Sequence, residues 1–157
     1  MSLEHEFFVI SNDFNFDMNK MYEWYSSNRY TWTKKVVLAD NIILYLMDFL
    51  NWIPTYNPAT RKKTTGINYY GLTVIYTAET SQLKQLLEKW LVFIEEAPEL
   101  FSLRGQTIWK ETGKEEGYWE STRTQIHRDA LQHELQSLID LATEASHSNK
   151  SILHVGI

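Results

Sequence analysis

The chain has 157 residues, 43% hydrophobic and 22% charged, the size and composition of one ordinary globular domain, which excludes wholesale disorder, a collagen-like repeat and a chain built of membrane spans. It contains no cysteine, so disulfides, thiolate metal sites, iron–sulfur clusters and cysteine nucleophiles are all ruled out. A formal net charge of −5 opposes general attraction to phosphate backbones, and the unusual figure is an aromatic content of 14%, which implies a heavy core or a surface that presents rings to a partner.

The first twenty residues lack a basic segment followed by a sustained apolar run and a small-residue cleavage site, so no secretory signal is expected and a cytoplasmic location is. Glu6 to Ile10 is aromatic and β-branched and stops at Ser11-Asn12-Asp13, which predicts a strand and a turn. Asp17 to Asn28 sets Met18, Met21, Tyr22 and Tyr25 at helical spacing behind Asp17 as N-cap. Tyr30 to Leu38 reads as a second strand, with Asp40 capping the next element.

That element, Asp40 to Trp52, is apolar almost all round, as in a central core helix or a helix buried by a second chain. Its longest apolar run, Ile42 to Met47, is six residues, against the ~20 that a membrane span requires. Ile53-Pro54 and Asn57-Pro58 end the helix, and a loop with Arg61-Lys62-Lys63 is expected from Pro54 to Gly66. Ile67 to Tyr76 predicts a strand covered on both faces and interrupted at Gly71. Thr80 or Ser81 then caps a helix with an apolar stripe of Leu83, Leu86, Leu87, Trp90, Leu91, Ile94 and Ala97, which leaves Val92 isolated on the charged side.

Gln106 to Lys110 and Gly117 to Ser121 flank a polar, glycine-containing turn and predict a hairpin. A long helix is expected from Ser121 or Thr122 to about Ser146, because Leu131, Leu135, Leu138, Ala142 and Ala145 repeat at four and three. Ile152 to Ile157 closes the chain as a strand. With no internal repeat and no low-complexity linker, residues 1–157 are expected to form a single α+β domain, a mostly antiparallel or mixed sheet with three to four helices packed on it as one layer pair.

The chain carries no phosphate-cradling glycine loop and no nucleophile elbow, and its histidines lack ligand spacing, so no cofactor, metal or catalytic residue is assigned. On the expected last helix, Arg123, His127 and Glu134 project along one flank and would suit a polar ligand or a proton donor and acceptor. The strand aromatics Tyr69, Tyr70, Trp109 and Trp119 would supply an aromatic pocket or patch beside them; core packing is the competing use of each ring. In adjacent pairs such as Tyr69-Tyr70 and Tyr118-Trp119, strand alternation sends the two rings to opposite faces, so either the sheet is covered twice or some rings are exposed.

The leading expectation is a non-enzymatic binding module that self-associates as a homodimer or engages a protein partner through apolar helix faces or rings. The alternative is a small-ligand-binding protein or enzyme with an aromatic pocket flanked by Arg123, His127 and Glu134. A second alternative, by analogy of composition, is an immunity- or antitoxin-type protein that masks a cationic partner. Arg61-Lys62-Lys63 near Tyr56 is a weak signal for single-stranded nucleic acid in an acidic chain.

Overall fold

The computed structural model describes residues 3–14, 20–32, 34–113 and 117–157. It is an α+β fold whose main sheet has six strands in the order β2-β1-β8-β5-β3-β4, every neighbouring pair antiparallel. These strands are β1 (Glu4–Ile10), β2 (Lys35–Ala39), β3 (Pro54–Asn57), β4 (Lys62–Thr65), β5 (Leu72–Ile75) and β8 (Ser151–Val155). The helices are α1 (Met21–Asn28), α2 (Asp40–Leu50), α3 (Thr77–Glu95) and α4 (Arg128–His147), and β6 (Leu100–Glu111) pairs with β7 (Gly117–His127) in a separate two-stranded ribbon.

Strand alternation builds two cores. Phe7, Val9, Val36, Leu38, Ile75 and Ile152 point to one face and pack with the apolar sides of α2, α3 and α4. Phe8, Ile10, Leu72, Val74 and Leu153 point to the other, where Phe14, Trp24, Tyr25, Trp32, Tyr56 and Tyr76 cover them. Both faces of the sheet's central strands are therefore covered, the second largely by aromatic rings, while the edge strand β4 stays exposed. The C-terminal strand β8 enters between β1 and β5, with four of its five residues buried, because only the sheet's middle hides so apolar a segment.

Several boundaries differ from the expectation. Asp40 is the first residue of α2 rather than its cap; Ala39 holds the cap position and the Asp40 carboxylate is bonded elsewhere. The proposed cap Asp17, with Met18, lies outside the described residues. Tyr30 lies in a turn and Trp32 just after it, so the second strand starts only at Lys35. The expected loop from Pro54 to Gly66 is the β3–β4 hairpin: Asn57 Oδ1 accepts from the backbone N–H groups of Ala59 and Thr60, and Arg61 takes a left-handed φ of 57° to turn the chain. β5 is confined to Leu72–Ile75, because Gly71 has φ 95° and Asn68 ties the preceding turn to Thr73 and Leu72.

The largest difference is at the last helix. It starts at Arg128, and Ser121 to His127 continue β7 instead. Thr122, Thr124 and Ile126 alternate there as β-branched residues, a strand pattern that favours extended backbone over helix. A bulge sets Gly105 and Gln106 against Thr122, since Arg104 pairs with Arg123 and Thr107 with Ser121.

Candidate binding surface

The apolar stripe expected on α3 packs on the core, with Leu86, Trp90 and Leu91 half-buried against it, and two of its members, joined by Phe93, also face a groove. Leu83, Leu87 and Ile94 are buried and join Leu131, Leu135 and Leu138 of α4 in the core. Leu86, Trp90 and Phe93, again spaced four and three, lie on the adjoining flank and look toward α2. On α2, Ile42, Ile43, Leu46 and Leu50 are buried, while Tyr45 and Phe49, followed by Trp52 in the turn that ends the helix, lie on the other side. The two flanks enclose a groove of about 540 Å³ lined by Tyr45, Phe49, Trp52, Leu86, Lys89, Trp90 and Phe93.

Edge-to-face ring contacts organise its floor: Trp90 meets Tyr45 at 5.3 Å, Phe49 at 5.0 Å and Phe93 at 5.5 Å between centroids. Phe49 in turn meets Trp52 at 5.2 Å. The rims stand in solvent, Trp52 63% and Phe93 64% exposed. Trp90 thus packs on the core, as its helical stripe implies, while its ring also floors the groove; Trp52, from the segment expected as a core helix, stands largely exposed. Val92 is exposed on the charged side of α3 and does not line the groove.

Tyr45 and Phe93 also wall a second cavity of about 350 Å³, completed by Glu96, Phe101, Leu103, Arg104 and Arg123 at the base of the β6–β7 ribbon. The groove therefore runs on to the ribbon. Further out, Trp109 and Trp119 are cross-strand partners on one face, 5.3 Å apart and 48% and 68% exposed. Gly117 makes room for this pair: a Cβ at that position would stand 2.3 Å from the Trp109 ring.

A polar cluster lies at the other end of the helix-covered face. His5 and His154, both fully buried, meet with Nδ1 of His5 and Nε2 of His154 2.9 Å apart, and His5 Nε2 is 3.2 Å from Asp40 Oδ1. Because the Asp40 carboxylate only accepts, His5 carries its proton on Nε2 and its Nδ1 accepts from His154 Nε2–H, which leaves His154 Nδ1 bare and without a partner. Burial holds both imidazoles below their ordinary pKa, and the Asp40 carboxylate partly offsets this for His5. The three groups run in a line rather than converging, and among the described residues no cluster of His, Asp and Glu is placed to hold a metal ion. Asp40 in turn borders a cavity of about 310 Å³ with Leu3, Asn41, Leu44, Gly105, Ile108, Thr122 and Thr124.

The seven residues singled out in the sequence do not assemble as expected. Tyr69 and Tyr70 lie in the turn before β5 rather than on a strand; Tyr69 is half-buried with its ring 5.4 Å from His5, and Tyr70 is exposed. Trp109 and Trp119 are on the ribbon. Arg123 and His127 belong to β7, not to a helix, and only Glu134 is on α4, so the helical line of three that would have flanked a pocket is not formed. Of the seven, only Arg123 borders one of the cavities described above. The groove was missed because helical spacing alone does not say which flank of a broad apolar stripe meets the core.

No helix among the described residues is long and apolar enough to cross a membrane. Comparison with protein-family models, with curated proteins and with solved structures gives no match.

Proposed function

We propose that the protein is a non-enzymatic, cytoplasmic interaction module that associates with a second copy of itself through the α2–α3 aromatic groove. The observation that carries this reading is the groove itself, where six apolar side chains and the single cation Lys89 line one continuous concavity with rings standing in water on its rims. Ordinary monomer surfaces scatter such residues singly, and clustered aromatic side chains with few charges mark interface centres.

Light scattering on the eluting protein tests it. Dimers are expected at micromolar concentration, and Phe93→Glu or Trp52→Glu, which place a charge where the partner would seat, should return the chain to its monomer mass of 18.6 kDa. A wild-type chain that elutes as a strict monomer overturns the reading. A small apolar ligand is the competing occupant, since about 540 Å³ is within the size of ligand pockets; a monomer that retains an apolar molecule through denaturing extraction would favour it.

A further inference from the structure

We propose that the occupant of the α2–α3 groove is the Trp109–Trp119 pair of the second copy's β6–β7 ribbon, given reciprocally, so that each chain both lends its ribbon and receives its partner's. This rests on the self-association reading and specifies its geometry.

The ribbon is the first reason. Its inner half is anchored, with Leu103 buried and Phe101 and Ile126 packed on the main core. Its outer half, from Thr107 to Glu111 and from Gly117 to Glu120, is exposed or half-buried throughout. An isolated two-stranded ribbon is marginal in water. This one nevertheless presents two tryptophans on one face, supported by a glycine that lets Trp109 lie across the strands while Trp119 projects. The only neutral outlet for such a surface is another apolar surface.

Reach and area agree. From Arg104 to Trp109 the ribbon extends roughly 16 Å at ~3.3 Å per residue, and the α3 wall of the groove from Leu86 to Phe93 is about 10 Å long at ~1.5 Å per residue. The pair can therefore pass the full length of the groove. An aromatic side chain can bury roughly 150–250 Å², so a ring exposed to about half contributes on the order of 100 Å². The Trp109–Trp119 pair against Tyr45, Trp52 and Phe93 then covers on the order of 500 Å², the scale of a crystal contact, whereas the reciprocal arrangement doubles this to about 1,000 Å², the least that a specific interface buries. One-sided docking is too small. Continuity supplies the path: the cavity at the ribbon's base shares Tyr45 and Phe93 with the groove, so a two-fold axis near that base lets each ribbon cross directly onto its partner.

Because the chain has no native cysteine, the test is clean. Thr107→Cys lies on the tryptophan face of the ribbon and Lys89→Cys on the groove wall. Equal amounts of the two single variants, one carrying a mass tag, are mixed and treated with a short bismaleimide. The expected product is a linkage between a Thr107→Cys chain and a Lys89→Cys chain, and Trp109→Ala with Trp119→Ala should weaken the dimer at least about tenfold, as loss of two hot-spot rings does, with an unchanged far-ultraviolet spectrum. A dimer that links only Lys89→Cys to Lys89→Cys, or that survives loss of both tryptophans at undiminished affinity, overturns the ribbon exchange and leaves self-association standing. A monomer in every mixture overturns both.

Discussion

His5 and His154, 149 positions apart in the chain, form a hydrogen bond of 2.9 Å in the closed interior with their rings only 13° from parallel. The bond joins the first strand to the last at the centre of the sheet, and the Asp40 carboxylate at the start of α2 fixes its polarity. Two buried imidazoles in place of two apolar side chains make this part of the core conditional on protonation state.

Acid should therefore destabilise the fold through this pair. Both histidines titrate lower in the folded chain than their ordinary 6.5, so below about that pH the unfolded chain binds protons that the folded chain refuses. The pair's contribution is fully present above about pH 6.5 and falls as pH drops from there toward the depressed folded values. Melting temperature measured between about pH 8 and pH 5 should show this slope, and His154→Gln, whose amide can still donate to His5 Nδ1 but does not titrate, should reduce it to the share that buried His5 contributes. An equal slope in the variant would place the acid sensitivity elsewhere.

Glu6 and Tyr25 offer a spectroscopic check on the opposite face of the sheet. The Tyr25 phenol is pushed up to about 12, first by burial and then by its hydrogen bond to the Glu6 carboxylate. Burial alone would raise the Glu6 carboxyl, but bonds from Lys35 and Tyr25 and the charges of Lys35 and Arg29 hold it below its ordinary value. Glu6→Gln removes the negative charge and leaves the burial. The phenol should then ionise at lower pH while remaining above the ordinary 10.0, visible as an earlier step in the near-ultraviolet titration of tyrosinate.

Glu134 should behave in the reverse sense to the histidines. It is half-buried on α4, one carboxylate oxygen has no hydrogen-bond partner, and burial raises its pKa, an effect that nearby His133 only partly offsets. A carboxyl whose folded pKa is raised is most stabilising when protonated, so the fold pays for its charge at neutral pH and is relieved as pH falls through the raised value. Glu134→Gln should accordingly raise the melting temperature at pH 7, and the gain should shrink on acidification.

The α+β class, the antiparallel ribbon around Thr112-Gly113 and the terminal strand were readable, because period-two alternation and glycine-bearing turns are local signals, whereas the main sheet read as antiparallel or mixed. What was not readable depended on partners distant in sequence. Leu87 and Trp90 are one turn apart on α3 and both pack on the core, yet only Trp90 also floors a groove, which the placement of α2 creates. The segment from Ser121 to His127 reads as helix when its charged residues are matched to a helical wheel, and as strand once β6 is available to pair with Thr122, Thr124 and Ile126. The His5–His154 pair has no sequence signature at all, since neither neighbour spacing nor composition records that the chain's two ends meet.

Gly156 gives the sharpest stability prediction, because two glycines with similar crowding should respond differently to the same substitution. A Cβ on Gly156 would stand 2.3 Å from the Tyr69 carbonyl oxygen and 2.6 Å from that of Asn68. Both are backbone atoms, held in place as Gly156 N–H donates to the Gly71 carbonyl at 2.8 Å and Ile157 N–H to that of Tyr69 at 3.1 Å. A Cβ on Gly105 would stand 2.4 Å from Thr122 Oγ1, a side-chain atom and not backbone. Gly156→Ala must push the end of β8 off the turn that precedes β5, an overpacking that costs roughly 1–3 kcal/mol, whereas Gly105→Ala should stay within about 1 kcal/mol of the parent. Urea unfolding of the two variants side by side measures the difference, and since the displaced turn carries Tyr69, whose ring leans on His5, the Gly156→Ala chain should also lose part of its near-ultraviolet circular dichroism. Equal midpoints for the two variants would mean that the terminal residues do not hold the turn.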